Sequence, residues 1–204
     1  MKAYLLYIFD FDNTLVDTYE GSVISYRHAL ASVGIDFQEE NTELYMGEFL
    51  DKTYLRFFPN LNGYNIFESS FYEKSHLVMA ENSKIFSDVI SCLTYLKQRG
   101  KIVSLATNKD RKVTDILLKK FDISCFFDLV LTCDDVENKK PHPEVINKCK
   151  EYFSTEDAVY IGDSQNDILA AHNASIDSIL IERSRRASAN AAYSISSLSE
   201  IVCV

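Results

Sequence analysis

Two aspartates set one residue apart, Asp10 and Asp12, close an apolar run in YLLYIFDFDNTLV (residues 4–16), with Thr14 just beyond them. The run is of strand type and bounded by polar residues, as expected of a strand buried on both faces in a parallel sheet. Side chains alternate along a strand, so Asp10 and Asp12 lean to the same side at its carboxyl end. That is where open α/β sheets bind ligands. Two carboxylates this close repel unless a cation lies between them or one keeps a proton. Mg²⁺, a hard cation that prefers oxygen ligands, suits the first case. An exposed Asp-Asn turn after a core strand is the plainer alternative for this stretch alone. Three more places carry comparable groups: Thr107-Asn108, Lys139-Lys140-Pro141, and Gly162-Asp163-Ser164 followed by Asp167.

The elements that must position these groups follow from periodicity. From Phe86 onward strands and helices alternate. A helix through Val89, Leu93 and Leu96 ends at Gly100, and KIVSLATN (101–108) is a strand. A helix through Val113, Leu117 and Phe121 leads to the strand DLVLTC (128–133). Pro141 and Pro143 open a helix through Val145 and Cys149, since proline is tolerated in a first turn. AVYIGD (158–163) is a strand, Ile168 to Ala174 a short helix and DSILIE a further strand. SRRASANAAYS (184–194) reads as a polar connection, and Ile195 to Val202 as a terminal helix. This alternation predicts a doubly wound, mostly parallel α/β sheet, with the polar strand ends gathered on one edge.

The stretch from Asp17 to Ser83 is far too long for a strand-to-helix connection. Tyr19, Val23, Tyr26, Leu30 and Val33 recur at helical steps, with Gly34 as a stop. Further helical patterns run through Met46, Leu50, Tyr54 and Phe57, and through Phe67, Phe71 and Val78. Residues 17–83 therefore read as a helical insertion with a small aromatic core of its own, splitting a core domain of 1–16 and 84–204.

Acid pair, hydroxyl, lysine and second acid pair, in that order, resemble the motifs of the haloacid dehalogenase superfamily of phosphohydrolases. The resemblance spans nearly the whole chain through DFDNT, ATN, KPHPE and GDSQND, and the insertion resembles that family's helical cap. It implies a Mg²⁺-dependent hydrolase acting through an aspartyl-phosphate. Asp10 would be the nucleophile. Asp10, Asp163 and the backbone carbonyl of Asp12 would bind the metal, leaving the Asp12 side chain free as acid and base. Thr107 and the backbone at Asn108 would hold the phosphoryl oxygens, and Lys140 would offset their charge. Asp167 would orient metal-bound water or Lys140 from a second layer. In the cap, Gly47, Lys52 and Arg56 lie where similar enzymes keep a specificity loop, although Lys52 and Arg56 also suit an exposed helix pair.

Taken singly, several of these have structural readings. Ser164 and Asp167 fit a capping box, Asn108 a helix N-cap, and Arg183, Arg185 and Arg186 a charged surface. Haloalkanoic dehalogenases lack an acid like Asp12, so its presence favours phosphoryl transfer. Ser175 replaces a glycine common after the last motif, and DSILIERSRR lacks the aromatic-glycine signature often seen at the last strand, which leaves the substrate open. A small phosphomonoester is expected: a sugar phosphate, phosphoglycolate or a nucleotide. A phosphomutase of the same superfamily is the alternative. From another class, a phospho-receiver module would take phosphate at the third strand's end, at Asp134 or Asp135.

Composition narrows the partners. The chain has 204 residues, enough to bury a proper core, and a net charge of −9, which disfavours a nucleic-acid backbone or an anionic membrane as partner. No segment has membrane-spanning length. Five cysteines without a CxxC spacing argue against a disulfide framework and for a reducing cytoplasm. The expected assembly is a monomer or homodimer.

Overall fold

The computed structural model describes residues 2–38, 49–183 and 190–202. Within them the chain divides into two compact units, residues 1–17 with 85–204 and residues 18–84.

The first unit is built on a six-stranded sheet in the order β5-β4-β1-β6-β7-β8, every adjacent pair parallel. The strands are β1 (Leu6–Phe9), β4 (Ile102–Ala106), β5 (Leu129–Leu131), β6 (Ala158–Gly162), β7 (Asp177–Ile181) and β8 (Tyr193–Ile195). β1 and β6 are buried along their whole length. That is why they read as unbroken apolar runs rather than alternating ones. Helices α4 (Val89–Gln98), α5 (Arg111–Lys120), α6 (Glu144–Phe153) and α7 (Gln165–Asn173) connect them. Leu6, Ile8 and Tyr160 pack against Val145, Ile146 and Cys149 of α6 and Ala170, Ala171 and Ala174 at α7 in one core cluster. The chain winds outward from β1 through β4 to β5, then crosses back to β6 on the other side of β1. At such a reversal open α/β sheets bind their ligands, here at the carboxyl end of β1, next to Asp10.

The second unit holds α1 (Tyr19–Ser32), α2 (Leu50–Leu55) and α3 (Tyr64–Val78) among its described residues. Tyr26, Ala29, Leu30, Tyr54 and Phe67 form its core, with Phe57, Phe58, Tyr64 and Phe71 packed against them. Tyr54 stacks on Phe58 with ring centroids 4.4 Å apart, and its hydroxyl donates to the Asn62 carbonyl. Short strands β2 (Val16–Asp17) and β3 (Lys84–Ile85) pair with each other where the chain leaves the sheet and returns.

The carboxyl-terminal segment differs from the predicted helix over 195–202. β8 pairs with β7, and a single 3₁₀ turn, Leu198–Glu200, follows with Ser197 as its cap. Ile195, Leu198 and Ile201 are all buried. Their three-residue spacing suits a 3₁₀ turn as well as an α-helix. Ser175, where the family pattern favours glycine, has φ 58°, the left-handed region that glycine enters without strain.

Candidate active site

Asp10 is the first residue past β1, and its amide donates to the Ile161 carbonyl at 2.8 Å, which locks it to β6. Phe11 to Val16 then form a tight turn: the amides of Leu15 and Val16 donate to the Phe11 carbonyl, and that of Asn13 to the Val16 carbonyl. Asn13 sits at φ 54°, a conformation asparagine tolerates better than most side chains. The turn sets the Asp12 carboxylate beside Lys109, Nζ to Oδ2 at 3.0 Å. Asp12 is thus ion-paired to a lysine that the sequence reading did not single out.

Lys140 arrives from the loop before α6. Asn108 grips its backbone from both sides, accepting from the Lys140 amide and donating to its carbonyl, each at 3.0 Å. The helix N-cap role considered for Asn108 belongs instead to Asp110, which accepts from the Val113 amide. The Lys140 ammonium donates to Asp10 Oδ1, Asp167 Oδ1 and the Tyr160 hydroxyl, each at 2.6 Å. Tyr160 donates in turn to the Ala106 carbonyl at 2.6 Å, which ties β6 to the end of β4. Thr107, the next residue, is buried and accepts from the Lys109 amide at 3.1 Å.

Asp163 follows β6 directly, and carboxylate oxygens of Asp10, Asp163 and Asp167 all lie within 4.8 Å of one another. Asp167 is also the acid of a capping box: its Oδ2 accepts from the Ser164 amide and hydroxyl at 3.0 and 2.6 Å. Both its oxygens are therefore engaged, one with a helix start and one with Lys140. Gly162 is required by this crowding, because a Cβ there would lie 2.5 Å from Cβ and Cγ of Asp167.

The electrostatics follow from burial. Desolvation, opposed by Lys140 and reinforced by Asp167 and Asp12, pushes the Asp10 carboxyl up to about 7. Desolvation, then the charges of Asp167 and Asp10, raises Asp163 well above the usual range. For Lys140 burial works downward, yet the charges of Asp10 and Asp167 outweigh it and hold the ammonium firmly protonated. Three carboxylates around one ammonium leave two negative charges uncompensated when all are ionised. A hard divalent cation bound by Asp10 and Asp163 fits this oxygen-rich cluster with its surplus of negative charge.

The structure thus brings together Asp10, Asp12, Thr107, Asn108, Lys140, Asp163 and Asp167, joined by contacts through Lys109 and Tyr160. The last two escaped the sequence reading. Tyr160 lay inside an apolar strand, where a buried tyrosine hydroxyl usually takes a partner; Lys109 directly follows Asn108. Lys52 lies in α2 with its ammonium 5.2 Å from the centre of the Phe49 ring, and Arg56 is that helix's C-cap. Gly47 lies outside the described residues.

Asp134 and Asp135, the acceptors a receiver would use, serve the loop after β5. Asp135 accepts from the Thr132 amide and hydroxyl and from Arg111, and Asp134 from the Arg111 amide. Arg183, expected on a charged surface, is instead largely buried against Asp88; Arg185 and Arg186 lie outside the described residues.

Fold and site define a doubly wound α/β protein with a buried acid-lysine centre at the sheet's switch point. The chain belongs to the haloacid dehalogenase-like hydrolases, whose family model matches residues 7–181. A pyrophosphatase PpaX of Bacillus cereus (strain B4264) is 31% identical over 170 residues, covering 82% of this chain and 78% of that protein. The haloacid dehalogenase-like family protein SP0104 of Streptococcus pneumoniae superposes with a TM-score of 0.87 at 20% identity, covering 98% of this chain and 97% of that one. CbbY of Rhodobacter sphaeroides, in complex with phosphate, gives 0.83 at 22% identity, covering 98% and 96%. No helix among the described residues is long and apolar enough to cross a membrane.

Proposed function

We propose that this protein is a Mg²⁺-dependent phosphatase that removes phosphate from a small phosphomonoester through an aspartyl-phosphate on Asp10. The observation that carries the reading is the convergence of Asp10, Asp163 and Asp167 within 4.8 Å, with Asp10 and Asp167 both paired to the buried Lys140 ammonium. Mg²⁺ held by Asp10, Asp163 and the Asp12 backbone carbonyl would neutralise charge on the phosphoryl group and let a carboxylate approach it.

In this reading Asp10 attacks phosphorus with the oxygen that Lys140 does not hold. Lys140 fixes the other oxygen and supplies positive charge next to the developing transition state. Asp167 and Tyr160 keep the ammonium in place, and Asn108 fixes its backbone. Thr107, at the end of β4, holds a phosphoryl oxygen together with the backbone at Asn108. Asp12 protonates the leaving oxygen, then takes a proton from the water that splits the acyl phosphate. Its pairing with Lys109 sets where that carboxylate stands before substrate arrives. Lys52 and Arg56 remain candidates for contacting the leaving group.

The partner is a small phosphorylated metabolite such as a sugar phosphate, phosphoglycolate or a nucleotide, and the compartment is the cytoplasm. The four described cysteines, Cys92, Cys125, Cys133 and Cys149, are free thiols, which supports a reducing compartment. Resemblance to PpaX supports a second reading, inorganic pyrophosphate as substrate. Turnover of an aryl phosphate with and without Mg²⁺, followed by a panel of phosphorylated metabolites and pyrophosphate, tests both. Asp10→Asn should abolish turnover, and a fully active variant would defeat the assignment.

A further inference from the structure

Segments far apart in the chain meet at Arg183, two residues past β7. Its guanidinium pairs with Asp88 through two hydrogen bonds, Nη1 to Oδ2 at 2.8 Å and Nη2 to Oδ1 at 2.7 Å. It lies over the Phe86 ring, 4.1 Å from the ring centre. It also donates from Nε and Nη2 to the Thr14 carbonyl at 3.3 and 3.1 Å. Asp88 further accepts from the Ser197 hydroxyl at 2.7 Å and the Leu198 amide at 2.9 Å.

A staple for the carboxyl-terminal segment would need only the Asp88 side of this cluster. The Thr14 side points elsewhere. Thr14 stands two residues past Asp12 in the turn that carries it, and the next carbonyl, that of Leu15, accepts from the Phe86 amide at 3.1 Å. Two successive carbonyls of the turn are therefore held from one side, by Arg183 and by the residue on which Arg183 stacks. Only a planar fork can grip Asp88, cover Phe86 and reach Thr14 at once; a lysine ammonium, a point charge, cannot.

We propose that Arg183 is a positioning residue for the reaction, holding the Phe11–Val16 turn so that the Asp12 carboxylate stands where proton transfer needs it. The proposal rests on Asp12 being the acid and base of the proposed function. A displacement of about 1 Å in a reacting group can cost on the order of a hundredfold in rate.

The test compares Arg183→Lys with Ser197→Ala, which loosens the same cluster without touching the turn; Arg183→Gln replaces the lysine variant if that one fails to fold. Amide hydrogen exchange is followed at Asn13, Leu15 and Val16, and turnover is measured on an aryl phosphate with Mg²⁺ well below each variant's Tm. In Arg183→Lys, exchange of the three amides should quicken about tenfold and kcat fall about tenfold or more, with KM within about twofold. Ser197→Ala should leave both near wild type. Unchanged exchange in Arg183→Lys overturns the proposal, as does faster exchange with unchanged kcat, or an equal kcat loss in Ser197→Ala. Wild-type protein without turnover would count against the proposed function instead, and the exchange measurement would still decide whether Arg183 holds the turn.

Discussion

Replacing Lys140 by methionine keeps most of the side chain's bulk and removes its charge, which separates electrostatics from packing. The ammonium lies 2.6 Å from an oxygen of Asp10 and of Asp167, and the side chains of Lys140, Asp10 and Asp167 are 3%, 8% and 2% exposed. Water cannot take over its role at that depth. Removing one partner of such a buried pair costs about 3–5 kcal/mol, because the remaining charges are stranded. For a chain of this size that corresponds to a fall in Tm of about 6–20 °C. The cost lies in the stranded carboxylates, so removing one of them should restore part of it. Asp167→Asn should be harmful in the wild type and much less so beside Lys140→Met, with a coupling energy of about 1–3 kcal/mol. Urea unfolding of the four proteins at neutral pH, with EDTA to remove divalent ions, measures this cycle. A loss below about 1 kcal/mol in Lys140→Met, or additive effects in the double variant, would refute the electrostatic reasoning.

Two further outcomes follow from the scaffold. Burial works to raise the Asp88 pKa, but hydrogen bonds from Arg183, Ser197 and the Leu198 amide outweigh it, so the net shift is downward. A carboxyl depressed in the folded state contributes stability above its unfolded pKa of about 3.9, and that stability is lost as pH falls through the folded value. Asp88→Asn should therefore lower the urea midpoint at pH 6 and show a shallower loss than wild type as pH falls below about 4. Ser175→Gly should relieve the left-handed backbone at φ 58° and raise stability by about 0.5–1 kcal/mol, read as a higher Tm, despite glycine's greater unfolded-state entropy.

The sheet edge was legible in the sequence because each chemical group directly follows an apolar run. Asp10 follows LYIF, Thr107 follows IVSLA and Asp163 follows AVYIG, and parallel pairing brings these strand ends together. What escaped reading depends on direction rather than order. Nothing local says that Lys109 turns toward Asp12, or that Arg183 folds back onto Thr14 across a sequence separation of 169 residues. The terminal helix was misread because Leu198 and Ile201 share a face in a 3₁₀ turn too, and pairing of Tyr193–Ile195 with β7 overrides local preference. Asn108 suited a helix start, but its amide group instead finds both backbone groups of Lys140.

The pairing of β2 with β3 has a consequence for how such a chain can diversify. Adjacent strands stand about 4.8 Å apart, so the outgoing and returning ends of residues 18–84 are neighbours across a single ladder. Seen from the sheet, this whole stretch is one closed loop, and the entropy of closing a loop grows only slowly with its length. Another helical module with neighbouring termini could be grafted at Asp17 and Lys84 without re-registering β1 or moving α4. Selection could then rework the accessory module and the catalytic sheet at different tempos.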